Sequence, residues 1–268
     1  MSAWRKVLLI LFSAVFIVSA ASLGRILLGY REAEKTYEAM DRQAYFSPTP
    51  ETAPDEKPTE NAPDAQSADE TAAEPSDGEP APETPFIFDL SALQSDFPDA
   101  VGWITLPDSP IDYPVMKGKS NESYLRRLPD GTANSAGSIF MDERCDRDLA
   151  DRNTILYGHH MRNGSMFAAL TKYKDADFAK SHPQLTLYAS CGRFALKPIL
   201  GLTVTADDQI YSLLNDGQGL SDYIASRKRS SCIRYDADGC PEKLVTLSTC
   251  AYDFDNARFV LICAAEKQ

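Results

Sequence analysis

Histidine is scarce in this sequence, with three residues in 268, and no Cys-x-x-Cys pair is present. The histidines and the six cysteines do not show the clustered spacing that binds zinc, so we expect no metal site. A basic excess is also lacking, because 39 acidic residues against 27 basic ones give a net charge of −12. Without a basic stretch interleaved with aromatic residues, the sequence is not typical of a nucleic-acid-binding protein, and we expect no nucleic-acid partner.

Large apolar residues are almost missing from residues 47–85. This stretch holds eleven acidic residues, one lysine and nine of the seventeen prolines, so it carries most of the net negative charge. Such a composition cannot bury enough apolar surface to offset chain entropy. We predict an acidic, proline-rich, disordered linker over residues 47–85.

One long apolar run, VLLILFSAVFIVSAASL at residues 7–23, follows two basic residues. It is barely long enough to cross a bilayer as a helix. A cleaved signal peptide is the alternative, because Val-Ser-Ala at 18–20 suits a cleavage site. The helical pattern continues through GRILLGYREAEKTYEAMDRQA, which favours a membrane anchor and helical stalk over residues 1–46. Basic residues flank both ends of the run, so charge does not fix orientation. A large following domain normally translocates, and we expect it outside the cell.

Residues 86–268 are numerous enough for one domain with its own core. Strand patterns include VGWITL, SPIDYPVMKG, SAGSIFMD, NTILYGHH, QLTLYAS, RFALKPILGLTVT, KLVTLSTC and ARFVLICAA. Helical patterns are fewer: FIFDLSALQSDFPD, MFAALTKYKD, DADFAKSH and GLSDYIASRKRSS, with Ser165 and Asp175 as candidate helix starts. Short strands separated by turn residues favour a mainly β domain, a barrel or sandwich with inserted helices.

Cys250 ends one strand-like run, and Arg258 lies at the start of the next. Side-chain alternation places Ser248 and Cys250 on the same strand face. The segment AYDFDNA between the two runs contains turn-forming residues, so a hairpin would bring Arg258 beside Cys250. A cation there would lower the thiol pKa and could hold an oxyanion. The alternative is an inert, buried cysteine.

Two of the three histidines follow Gly158 at the end of NTILYGHH. Alternation places Tyr157 and His159 on one strand face. A histidine at a strand end can serve as the acid/base partner of a cysteine. Equally, His159 and His160 can be loop residues that bind only backbone groups. His182 precedes a proline and is predicted to lie in a turn.

Taken together, these segments resemble the sortases, which are membrane-anchored cysteine transpeptidases of Gram-positive bacteria. TLSTC with an arginine eight residues later, and YGHHM about ninety residues earlier, carry the resemblance. VGWITLPDSPIDYPVMKGKSNESYL, AGSIFMD and a helix before the last two strands are similar to class B in order and spacing. The resemblance extends from about Phe86 to Cys263. It implies a closed sortase-type β-barrel with several peripheral helices as the catalytic domain, residues 86–268.

The resemblance also implies residue roles: Cys250 as nucleophile, His159 as acid/base and Arg258 as the stabiliser of the oxyanion. The substrate-contacting residues that it implies are Ser248, Asn121, Leu125, Thr205 and Ile210. Some relatives have an acidic residue after the cysteine where this chain has Ala251, so the pocket differs there. No cofactor is implied.

The implied reaction is cleavage of an NPxTx-like cell-wall sorting signal after its threonine. The acyl group would pass through a cysteine thioacyl intermediate to an amine of peptidoglycan or a pilin. The implied partners are surface proteins that carry a C-terminal sorting signal, the amine acceptor and the membrane. Alternatives are a cysteine peptidase that releases the acyl group to water and a non-catalytic surface module. A wall L,D-transpeptidase is a weaker alternative, because its usual SHGC-type cysteine context is missing.

Overall fold

The structure, a computed structural model, describes residues 3–40, 45–48, 86–214, 219–233 and 240–268. The α-helices are α1 (Ala3–Ala39), α2 (Leu90–Asp96), α3 (Ala176–Ser181) and α4 (Leu220–Lys228). The strands are β1 (Phe46–Pro48), β2 (Phe86–Phe88), β3 (Ala100–Thr105), β4 (Asp112–Met116), β5 (Ile139–Met141), β6 (Asn153–Tyr157), β7 (Leu185–Ala189), β8 (Gly192–Thr205), β9 (Leu244–Cys250) and β10 (Ala257–Lys267). Two 3-10 helices span Phe167–Lys174 and Gln209–Tyr211.

Strands β3 to β10 form a closed barrel in the order β10-β8-β7-β3-β4-β5-β6-β9. Two neighbouring pairs are parallel, β4 with β5 and β6 with β9, and the other pairs are antiparallel. Apolar side chains such as Ile104, Leu196 and Leu247 are fully buried in the main core. The mainly β architecture, a closed barrel with peripheral helices, is therefore confirmed.

Strand β8 is apolar along most of its length because both of its faces are covered. Leu202 and Val204 belong to a second cluster of buried residues that includes Leu220 and Tyr223 of α4. A strand that is buried on both faces shows a continuous apolar run instead of alternation. Helix α4 thus packs on the outside of the barrel against β8.

Helix α2 is shorter than the pattern FIFDLSALQSDFPD predicts. It begins after Asp89, whose carboxylate accepts a hydrogen bond from the backbone amide of Ala92 at 3.0 Å. Phe86–Phe88 form β2 instead, because β1 pairs with them in antiparallel register. The partner strand lies about forty residues earlier in the chain, so the local pattern could not reveal it.

The two other predicted helix starts have different outcomes. Asp175 begins α3 as predicted, and its carboxylate accepts from the backbone amides of Asp177 and Phe178 at 2.8 and 2.9 Å. Ser165 does not begin an α-helix. The segment that follows it, Phe167–Lys174, is a 3-10 helix preceded by Met166, whose φ is +58°.

Helix α1 has two distinct parts. Its described large apolar side chains from Trp4 to Leu28 are all exposed, and Ile10–Ala39 includes a window of mean hydropathy 2.1. In length and composition this helix is sufficient to cross a membrane. Nearer its C-terminal end, by contrast, Ala33 is only 7 % exposed and belongs to the barrel core.

The acidic linker predicted over residues 47–85 lies outside the described residues from 49 onward. Its first two residues, Ser47 and Pro48, belong to β1 instead, and Pro48 is the register partner of Phe86 in the β1–β2 pair. Phe46 also contacts Trp103 of the barrel, with ring centroids 6.0 Å apart. The chain therefore leaves and returns at one place on the domain.

Replacing residues 49–85 with a four-residue turn should raise the free energy of unfolding. The loop that closes the β1–β2 pair becomes roughly ninefold shorter, about three halvings, which corresponds to about 2 kcal/mol of closure entropy. Urea unfolding followed by tryptophan fluorescence measures the change. A Gly-Ser stretch of the original length is the control, and a short-loop variant no more stable than this control would contradict the pairing of β1 with β2.

Candidate active site

The β9–β10 hairpin brings the cysteine and the arginine together. Cys250 and Arg258 are direct register partners across the antiparallel pair, and the amide of Ala251 donates to the carbonyl of Ala257 at 2.9 Å. The predicted hairpin is therefore confirmed. The ladder places Cys250 and Arg258 at neighbouring positions, next to the turn that joins the two strands.

Parallel pairing of β6 with β9 brings His159 to the same end. Tyr157 lies opposite Ser248, and the amide of Gly158 continues the ladder by donating to the Ser248 carbonyl at 3.1 Å. A Cβ atom on Gly158 would lie 2.5 Å from Ile139 Cδ1 and 2.7 Å from Phe167 Cγ. Only glycine fits at this exit from the strand.

Backbone carbonyls far away in the sequence hold both histidine rings. His159 Nε2 lies 2.6 Å from the carbonyl oxygen of Leu125, and His160 Nδ1 lies 3.0 Å from that of Cys250. Because a carbonyl only accepts, these nitrogens are the donors, and His159 carries its proton on Nε2. His182 stacks on Phe178 at 3.9 Å, at the C-terminal end of α3.

A cavity of about 280 Å³ opens at this end of the barrel. It brings together six of the eight residues that the sequence analysis names: Asn121, Leu125, His159, Ser248, Cys250 and Arg258. Thr205 lies instead in a neighbouring cavity of about 990 Å³. Ile210 is fully buried in the core cluster beneath α4, and its neighbour Tyr211 lines both cavities.

Arg258 keeps its charge available. Its guanidinium donates to the backbone carbonyls of Ala257 at 3.0 Å and Asn256 at 3.4 Å. Among the residues that the structure describes, no carboxylate forms an ion pair with it. A cation that is held in place and not neutralised can stabilise negative charge developing nearby.

All six cysteines are free thiols, and their surroundings differ. Burial raises the pKa of the Cys145 thiol to about 11 and that of Cys263 still further. Such thiols are poor nucleophiles at neutral pH. Cys250 is partly exposed and lines the cavity, which distinguishes it from the buried pair.

One wall of the cavity depends on Asp142, a residue that the sequence analysis does not single out. Asp142 is 1 % exposed and accepts from the Arg144 guanidinium at 2.8 and 2.9 Å and from the Tyr157 hydroxyl at 2.7 Å. Burial acts to raise its pKa, but the hydrogen bonds from Arg144 and Tyr157 hold the pKa below its usual value. Arg144 also donates to the carbonyl of Tyr211 at 3.0 Å.

Tyr157 and Tyr211 form much of that wall. Their ring centroids lie 5.9 Å apart, and the Tyr211 hydroxyl lies 2.9 Å from Ser248 Oγ. Strand alternation could have identified Tyr157, which shares a face with His159. No comparable signal marks Tyr211 or Asp142, because their roles depend on contacts between distant segments.

Comparison with curated proteins finds two similar sequences. "Sortase B" of Listeria monocytogenes serovar 1/2a is 34 % identical over 178 residues, which are 65 % of this chain and 72 % of that protein. "Sortase B" of Staphylococcus aureus is 33 % identical over 168 residues, 61 % of this chain and 69 % of that protein. No family model matches the chain.

Solved structures give the same result. The Staphylococcus aureus sortase B–substrate complex aligns with a TM-score of 0.61 at 30 % identity, covering 66 % of this chain and 84 % of that one. Clostridium perfringens sortase B aligns with a TM-score of 0.60 at 28 % identity, covering 66 % of this chain and 99 % of that one. A complex of sortase B with triglycine aligns with a TM-score of 0.60 at 32 % identity, covering 66 % of this chain and 85 % of that one.

Gly158→Ala should destabilise the domain, because the added methyl group meets the packed side chains of Ile139 and Phe167. Overpacking of this kind costs about 1–3 kcal/mol, which urea unfolding can measure. Gly24→Ala is the control, since its methyl group would meet no atom within 4 Å. Equal stability of the two variants would show that β6 can shift to make room.

Proposed function

This chain belongs to the class B sortases, which are cysteine transpeptidases, and from this premise we propose its reaction. It cleaves an NPxTx-like sorting signal after the threonine and transfers the acyl group to an amine of peptidoglycan or a pilin. The observation that carries the proposal is the cavity where Cys250, His159 and Arg258 meet. A nucleophile, a positioned imidazole and a cation with its charge available are the groups that acyl transfer through a thioester requires.

The first half of the reaction forms a bond to sulfur. The Cys250 thiolate attacks the threonine carbonyl carbon, and the carbonyl oxygen becomes an oxyanion that Arg258 stabilises. The C–N bond then breaks, and the leaving amine takes a proton from the His159 imidazolium. The products are the thioacyl-enzyme and the released C-terminal segment of the signal.

In the second half, an acceptor amine resolves the thioester. The amine attacks the thioacyl carbon, His159 takes its proton, and the C–S bond breaks to regenerate the thiolate. Because the Leu125 carbonyl holds Nε2–H, we assign this proton exchange to Nδ1. Sortase B is known in complex with a substrate and with triglycine, and those complexes support a peptide signal and an amine as the two reactants here.

The cavity wall suggests which residues contact the signal. We propose that Asn121, Leu125 and Ser248 line the peptide site together with Tyr157 and Tyr211, since all five border the cavity. Thr205 could contact only a part of the signal that reaches the neighbouring cavity. Ile210 would act indirectly, by supporting Tyr211 from the core.

We further propose that α1 anchors the protein in the cell membrane, with the barrel outside the cell. The first part of α1 exposes its large apolar side chains along a length that suits a bilayer. Substrates awaiting wall attachment and acceptors in the wall would then be within reach of the barrel.

The proposal is tested with the full chain in detergent micelles. A library of NPxTx-type peptides is incubated with and without triglycine or a stem-peptide amine, and the products are identified by mass. We expect amine-linked products that increase with acceptor concentration, and none with Cys250→Ala. If hydrolysis products alone form, at a rate that the amine does not change, the protein is a peptidase. Retained activity in Cys250→Ala would remove the cysteine from the reaction.

Arg258→Lys should reduce kcat/KM by about 10²–10³, since a single oxyanion donor is worth about that much and a lysine cannot reproduce the planar guanidinium. Steady-state kinetics with the best peptide measure the loss. Arg162→Lys, the same change at an exposed site, is the control. Activity in Arg258→Lys close to that of the control would exclude the oxyanion role.

A further inference from the structure

We propose that Tyr37 of helix α1 is a positioning residue for His159, so that the stalk is part of the catalytic unit. This inference rests on the proposed acid/base role of His159. Two separate sets of contacts connect Tyr37 with His159. Each begins at Tyr37, and one ends on the ring of His159 while the other ends on its backbone.

One face of α1 docks on the barrel. Gly29, Ala33 and Tyr37 lie at successive intervals of four residues, which places them on the same helix face. The side-chain amide of Asn134 donates to the Gly29 carbonyl at 3.0 Å, and Ala33 is buried in the barrel core. The Tyr37 ring packs edge-on against Tyr113 with centroids 4.9 Å apart. These contacts fix the helix against the domain near the cavity end.

The first connection runs through the carbonyl that holds the histidine ring. The Tyr37 hydroxyl donates to the Gly137 carbonyl at 3.0 Å. Gly137 has φ of +59°, and a Cβ atom there would lie 2.5 Å from the Leu125 carbonyl oxygen. That same oxygen accepts from His159 Nε2 at 2.6 Å. A shift of Gly137 would therefore move the hydrogen-bond acceptor of His159.

The second connection runs through the loop that follows the histidines. The hydroxyl of Tyr113, whose ring Tyr37 contacts, accepts from the Met166 amide at 3.1 Å. Met166 forms an isolated bridge with His160, and the next amide, of Phe167, donates to the His159 carbonyl at 2.9 Å. Tyr37 thus supports the backbone of His159 as well as its ring.

Contacts on both sides of the acidic stretch support the docking of α1 on the barrel. Tyr45, just before β1, donates from its hydroxyl to the Asp96 carboxylate at 2.7 Å, and β1 pairs with β2. The chain is therefore attached to the barrel on both sides of residues 49–85. The docked part of α1 can keep one geometry whatever the length of that stretch.

The test measures how fast a methanethiosulfonate reagent modifies Cys250 in the full chain in micelles at pH 7. His159 is the proposed proton acceptor of the Cys250 thiol, and the thiolate is the reactive form, so displacing His159 should slow the reaction. We expect Tyr37→Ala to lower the rate at least about threefold. Peptide mass spectrometry follows Cys250 separately, and the exposed Cys240 is the internal control. Lys35→Ala, on the exposed side of α1, should change nothing.

A double-mutant cycle distinguishes positioning from a general effect on folding. In a His159→Ala background, adding Tyr37→Ala should not lower the Cys250 rate any further. Effects that multiply would show that Tyr37 acts independently of His159 and would overturn the inference. So would an unchanged or faster rate in Tyr37→Ala alone.

Two conservative variants test the two connections separately, and they disturb packing less than Tyr37→Ala does. Tyr37→Phe removes the hydroxyl that donates to Gly137, and Tyr113→Phe removes the hydroxyl that accepts from Met166, so each should give part of the loss. In the transfer assay, Tyr37→Ala should lower kcat about tenfold or more with KM little changed, because misplacing a catalytic group costs this much. Absence of transfer by the unmodified chain would count against the proposed function alone, because the double-mutant cycle on Cys250 modification does not depend on transfer.

Discussion

Strand β9 is the element on which the site depends, because it is hydrogen-bonded on both sides. Its parallel ladder with β6 sets Ser248 opposite Tyr157, and its antiparallel ladder with β10 sets Cys250 opposite Arg258. A slip of one residue in either ladder would turn the side chains of one strand to the other face. The two registers therefore decide that a thiol, an imidazole and a guanidinium open into one cavity, and Gly158 permits the close packing that this requires.

Arg144 and Arg258 both lie near the cavity, but their hydrogen-bond partners give them different roles. Arg144 is paired with the buried carboxylate of Asp142, and the pair holds Tyr157 and the backbone of Tyr211 in place. The Asp142 carboxylate neutralises the charge of Arg144. Arg258 donates only to backbone carbonyls among its described hydrogen bonds, so its charge can act on a bound anion. The proposed oxyanion role follows from this difference in partners.

Helix α1 changes the interpretation of the N-terminal region. Composition predicts a spacer between a membrane anchor and the barrel, but the contacts of Tyr37 and Tyr45 attach the chain on the N-terminal side of the acidic stretch to the domain that follows it. A 37-residue helix is about 55 Å long, and its last part is docked. The apolar segment and the docked part of α1 thus belong to one continuous helix.

The sequence by itself determined what depends on near neighbours: the strand pattern, the helix start at Asp175 and the hairpin that pairs Cys250 with Arg258. These features arise from hydrogen bonds and turns within about ten residues, so local patterns contain them. The tertiary structure alone decided that β6 lies beside β9, that Tyr211 and not Ile210 faces the cavity, and that Tyr37 docks near His159. Those contacts join segments up to a hundred residues apart, and they are chosen by how the whole core packs, which no local pattern encodes.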